Sequence, residues 1–190
     1  MTQTFNKVRY IELLKKDQSL ESQNSSLYKE DRIEYRELLS YGIILENQIL
    51  YNRRHDYISL IEKYVTNEID SFILRWKFFQ IEREDKKIQK DLEKNFEQLF
   101  NVSIDSKSAE FSTLLEDIAA ACEFFDWTDE TDERKFRPYV EKTFLQMKQY
   151  KDSQKVPMDD SFEILRQVPE PCIRLILISL LLSGTALLTC

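Results

Sequence analysis

Glycine occurs only twice in the chain of 190 residues, at Gly42 and Gly184. That scarcity excludes phosphate-binding loops and dinucleotide fingerprints, which need several glycines at fixed offsets so that backbone can approach a phosphate. It also argues for helices.

Hydrophobic periodicity supports the same conclusion. Phe5, Val8, Ile11 and Leu14 suit a short amphipathic helix over residues 5–16, followed by a polar linker at 17–26. From 27 to 52, Tyr35, Leu38, Leu39, Gly42, Leu45 and Ile49 fit a helix; the alternative is a hairpin turning at Glu46 and Asn47. Asp56 is a candidate N-cap for a helix bearing Tyr57, Leu60, Ile61, Tyr64 and Val65, ending near Thr66 and Asn67. Asp70 or Ser71 caps the next, in which Phe72, Ile73, Trp76 and Phe79 on one face and Leu74, Phe78 and Ile81 on another predict a central position. Whether residues 71–100 form one helix or a broken pair is open to either answer. After a loop at 101–108 a helix runs from about Ser108 to Phe124, and a last one starts near Phe136 or Arg137, so that Pro138 falls in its first turn.

Residues 114–133, LLEDIAAACEFFDWTDETDE, carry eight carboxylates and no Lys, Arg or His. At 100° per residue Phe111, Leu114, Leu115, Ile118, Cys122 and Phe125 form the inward stripe, while Glu116 and Glu123 point outward. Asp117 and Phe124 share a flank. The segment then enters an acidic loop at 126–133. A solvated loop between helices is the bland account of this stretch; a surface made to meet a basic partner is the functional one.

Net charge decides which partners are in play. At −7 the chain is a poor match for nucleic acid, whose phosphates need a basic surface; an acidic protein meets a basic protein more readily. Lys86, Lys87, Lys90 and Lys94 alternate with acidic residues, as on an ordinary solvated helix. Cys122, Cys172 and Cys190 are too few and scattered for a disulfide framework or a metal clamp, which fits a reducing compartment: the cytoplasm or an organellar stroma. The N-terminus has no apolar signal region. Abundant Ile, Lys, Asn and Tyr with scarce Gly and Ala suggest an AT-rich coding genome.

Catalysis finds little support. His55 is the single histidine and has no Ser, Cys or metal partner at a diagnostic spacing. Cys122 lies on the apolar stripe, where a small core residue is expected. No catalytic residue, metal site or cofactor is assigned, and the chain reads as a non-enzyme.

Beyond a linker at 151–171, residues 172–190 hold one charge, Arg174. The 16 uncharged residues from Leu175 onward would span about 24 Å as a helix, short of the roughly 30 Å of a bilayer core. A marginal membrane anchor giving weak membrane association, a buried helix and an incidental extension all remain open for this tail.

Four segments taken in order, DYISLIEKYVTNEI, SFILRWKFF, LLEDIAAACEFFDWTDETDE and RKFRPYVEKTFLQM, give residues 56–150 a resemblance to the self-protective immunity proteins of the colicin D type. The resemblance implies an all-α fold, an antiparallel four-helix bundle at 56–150. It would be preceded by an extra helical region at 1–55 and followed by the linker and apolar tail. It further implies a non-catalytic acidic protein that binds a basic ribonuclease toxin domain over the surface meant for tRNA phosphates. Carried onto this sequence, the binding residues are Glu116, Asp117, Glu123, Asp126, Asp129, Glu130, Asp132 and Glu133. Phe124 or Trp127 would be the aromatic anchor inside that charged rim. The alternative is a membrane-tethered helical adaptor with no toxin partner.

Overall fold

The computed structural model describes residues 4–124 and 130–151, with backbone alone at 130–132. Residues 125–129 and 152–190 lie outside the described residues, and with them Phe125, the acidic positions 126 and 129, Trp127, nearly all of the linker and the apolar tail. Among the described residues the fold is all-helical, with no strand: α1 (Lys7–Glu21), α2 (Leu27–Glu30), α3 (Arg32–Asn52), α4 (Arg54–Val65), α5 (Ser71–Lys94), α6 (Phe96–Asn101), α7 (Ser108–Phe124), α8 (Glu130–Met147) and a closing 3-10 turn, Lys148–Tyr150. No helix among them is long and apolar enough to cross a membrane.

Side-chain caps set four of the helix starts. Asn6 accepts the amide proton of Arg9, Asp31 those of Ile33 and Glu34, and Asp70 that of Ile73 at 2.8 Å. Asn67, at φ 62°, closes α4 in the left-handed region, where asparagine is tolerated, and the Glu68 amide reaches back to the Lys63 carbonyl. Asn95 ends α5 and caps α6 through the Gln98 amide. Residues 71–101 are therefore a long helix and a short one, and the charged run at 82–87 lies inside the long one. The first half of the polar stretch 17–26 is helical too, because α1 continues to Glu21 before the chain turns at Asn24.

Three expectations need correction. Asp56 does not cap α4: the helix begins at Arg54, and the Asp56 carboxylate instead accepts from Arg53 Nε at 3.1 Å. α8 begins at Glu130 rather than at Phe136, so Pro138 stands well inside it. Acidic residues at 130, 132 and 133 suit the positive end of a helix, which favours the early start. The cost at Pro138 is one missing N–H to the Arg134 carbonyl, at an exposed position that water reaches. Finally, α5 is not apolar all round. Leu74 and Phe78 are buried, whereas Phe72 and Trp76, on the opposite side, are exposed, because α4 and α7 cover only one side of the helix.

The hairpin alternative for residues 41–51 is not adopted; α3 is continuous and buries Leu38, Tyr41, Leu45, Gln48 and Ile49 at helical spacing. Two long helices, α3 and α5, run through both parts of the interior. At one end Tyr10, Leu13, Leu27, Tyr41, Leu92 and Leu99 are buried, and Phe5, Tyr10 and Tyr41 pack their rings at 5.7–5.8 Å. At the other, one apolar cluster gathers Tyr57, Ile58, Ile61 and Tyr64 of α4, Leu74 and Phe78 of α5, Phe111, Leu115, Ile118 and Cys122 of α7, and Phe136, Val140, Phe144 and Met147 of α8. Burial of each large side chain is worth about 1.5–3 kcal/mol, so this cluster, not the surface ion pairs, holds the helices together. The division drawn from the sequence at residue 55 falls at the α3–α4 junction. Packing continues across it, since α3 lies against α5 and α7.

Polar ties fix that junction. Arg53, between α3 and α4, reaches Asp85 at 2.9 Å, and the Tyr57 hydroxyl donates to the other Asp85 oxygen at 2.7 Å. Arg54 is buried, donating to the carbonyls of Tyr51 and Tyr150 at 3.0 and 3.1 Å.

Candidate functional site

The core stripe of α7 positions everything else on that helix. With Phe111, Leu115, Ile118 and Cys122 buried and Leu114 half-buried, the rest of the helix circumference presents Glu110, Glu116, Asp117 and Glu123 as exposed residues without a basic residue on the helix. Phe124 ends it at 84% exposure. A phenylalanine that open stands where its burial remains to be gained, which is the property of an interface anchor.

Folding divides these carboxylates into two groups. Asp117, with Thr113, Ala120 and Phe124, faces the α8 side: burial first, and then the Asp117 charge, hold the Tyr139 phenol above its usual pKa. Lower on the same seam the Tyr150 hydroxyl is pushed up to about 12, by burial first and then by Glu110. Glu110 beside Tyr150 and Asp117 beside Tyr139 also mean that α7 and α8 run in opposite directions.

Glu116 and Glu123, two helical turns apart, face the other way, toward α3 and α5. There Glu116 lies within electrostatic range of Glu46 of α3, and Glu123 within range of Lys86 of α5. The Glu46 carboxyl is raised, by burial first; Lys86 opposes the rise, and Glu82, Glu116 and Glu93 add to it. Lys86 is the local cation and is bonded to Glu82 at 2.5 Å, with Glu46 and Glu123 also holding its proton. Glu46 and Glu82 were not among the residues expected from the sequence. Glu46 sits in an apolar helix and Glu82 opens a mixed-charge run, so neither position stands out until three helices are brought together.

The remaining expected residues are placed as follows. The residues at 126, 127 and 129 lie outside the described residues, and Glu130 and Asp132 are in the first turn of α8, their side chains outside the description. Glu133 belongs to α8 rather than to a loop. Its Oε1 accepts from the Tyr64 hydroxyl at 2.8 Å and from Arg137 at 3.3 Å, so this carboxylate is engaged in tying α8 to α4.

Cys122 is buried, and burial pushes its thiol up to about 12, which keeps it protonated at neutral pH and unsuited to nucleophilic attack. His55 is half-buried in the first turn of α4. Among the described residues no group of three His, Cys, Asp or Glu side chains is arranged to hold a metal ion. Compared with models of known protein families, with curated proteins and with solved structures, the chain matches none.

Proposed function

We propose that the protein is a non-catalytic acidic binding protein of the immunity type, in which α4, α5, α7 and α8 form the four-helix bundle and the outer side of α7 meets a basic protein. The observation that carries this is the pairing, on one helix, of the exposed carboxylates Glu116, Asp117 and Glu123 with the 84% exposed ring of Phe124. Long-range attraction between this side and a basic partner speeds encounter, and burial of the ring gives the complex its lifetime. The partner class that the sequence resemblance suggests is a ribonuclease toxin domain, whose tRNA-binding surface is basic because phosphates must bind there. The sequence resemblance adds Asp126, Trp127, Asp129, Glu130 and Asp132 to the binding residues, whereas Glu133 contributes by fixing α8.

The test is whether the full chain binds a basic colicin D-type ribonuclease domain and protects tRNA from it. Combined Glu116→Gln, Asp117→Asn and Glu123→Gln substitutions, and separately Phe124→Ala, weaken binding and protection while leaving helicity unchanged. Undiminished protection by both variants would remove α7 from the mechanism.

A further inference from the structure

The fold leaves an apolar stripe uncovered on α3. Leu39 and Ile43, one turn apart, are 48% and 57% exposed, Arg36 precedes them and Glu46 follows. At 100° per residue these four positions occupy an arc of roughly 80°. α5 lies alongside in the opposite direction, for Gln89 donates to the Gly42 carbonyl while Asp85, earlier on α5, accepts from Arg53 just past the end of α3. Glu46, one turn further along α3, is thereby brought level with Lys86 and then Glu82, one and two turns earlier on α5. Glu116 and Glu123 of α7 border the same end. The stripe thus runs from two solvent-exposed aliphatic side chains into four carboxylates from three helices, with Lys86 bonded to one of them.

We propose that this stripe, with Glu46, Glu82, Glu116 and Glu123, seats a basic amphipathic helix of the protein partner. The inference rests on the reading of α7 as a binding surface and extends that surface onto α3. An apolar face alone does not choose its occupant; here the flanking charge does. A helix laid along α3 covers Leu39 and Ile43 with its own apolar stripe and turns Lys or Arg toward the carboxylates. A second copy of this chain related by a two-fold axis would set only Arg36 against each cluster of four carboxylates, and an anionic membrane would meet like charge. A cationic amphipathic helix satisfies both halves of the surface.

The probe is a fluorescent synthetic helix of about 18 residues, leucine on one face and lysine on its flanks, titrated into the full chain. The peptide binds, and binding weakens at high salt. Leu39→Ser with Ile43→Ser, and independently Glu46→Gln with Glu82→Gln, each weaken it by about tenfold or more, since both the apolar contact and the charges are needed. A control peptide with glutamate in place of lysine does not bind. These side chains are exposed or half-exposed, so unchanged circular dichroism and melting temperature verify that the variants fold. Absent binding, equal binding of the control peptide, or a dimer of the chain that the α3 variants dissolve would overturn the proposal. If Glu116→Gln with Glu123→Gln abolishes binding while both α3-containing variants bind normally, the α3 extension is wrong and the α7 surface stands. If no variant set has an effect, both fail.

Discussion

Asp85 ties the middle of α5 to the α3–α4 junction, and its environment makes a prediction with a definite sign. Its carboxylate is 4% exposed and accepts from Arg53 and Tyr57. Burial nevertheless outweighs the attraction of Arg53, and the group is pushed up from 3.8 to about 6. The folded chain therefore holds this proton more tightly than the unfolded chain does. The resulting stabilisation is fully present below about pH 4 and is lost as pH rises through about 6. At about 1.4 kcal/mol per pH unit, the contribution lost is about 3 kcal/mol. Asp85→Asn removes the titration but retains an oxygen acceptor for Arg53 and a nitrogen donor for the Tyr57 oxygen. The assay is urea unfolding of wild type and variant across this pH range. Between about pH 4 and about pH 7 the stability difference shifts by about 2–2.5 kcal/mol in favour of the variant. A difference that stays constant with pH, or moves in favour of the wild type, would refute the claim that desolvation dominates at this site.

Other positions give sharper single-point tests. Gly42 lies in mid-helix with ordinary backbone geometry, and an added methyl group would meet Tyr10 and Gln89 at 3.6 and 3.7 Å, normal contact distances. Gly42→Ala thus stabilises the protein by about 0.5–1 kcal/mol in chemical denaturation. Arg54→Ala removes a buried guanidinium bonded to the Tyr51 and Tyr150 carbonyls and lowers unfolding free energy by about 3 kcal/mol or more. Asp70→Ala deletes the cap on the Ile73 amide and costs about 1 kcal/mol, visible as a lower melting temperature.

Much of the helical architecture can be read from the residues. The Tyr57-to-Val65 stripe, the Asp70 cap and the inward face of α7 follow from periodicity and from side chains that satisfy free amides. The start of α8 did not, because Pro138 is a strong local signal against an internal position, whereas acidic residues favouring an earlier start act cooperatively and weakly. The exposed side of α5 was hidden for another reason: Phe72 and Trp76 look like core residues until the neighbouring helices prove to cover one side only. Within the candidate site, the outward direction of Glu116, Asp117, Glu123 and Phe124 was legible from the helical projection. Their separation toward α8 and toward α3 was not, and neither was the joining of Glu46 and Glu82. Those depend on which helices become neighbours, a long-range property that no local pattern encodes.

The central claim is that the acidic side of α7 recruits a basic partner. It is tested most directly by the salt dependence of association between the full chain and a basic ribonuclease domain, measured by stopped-flow fluorescence. Exposed charges are screened over about 8 Å at physiological ionic strength. The association rate is therefore expected to fall by about tenfold or more between about 0.05 M and about 0.5 M salt. Combined Glu116→Gln, Asp117→Asn and Glu123→Gln substitutions flatten that dependence. A fast association that ignores salt, or one whose salt dependence survives all three substitutions, would contradict it.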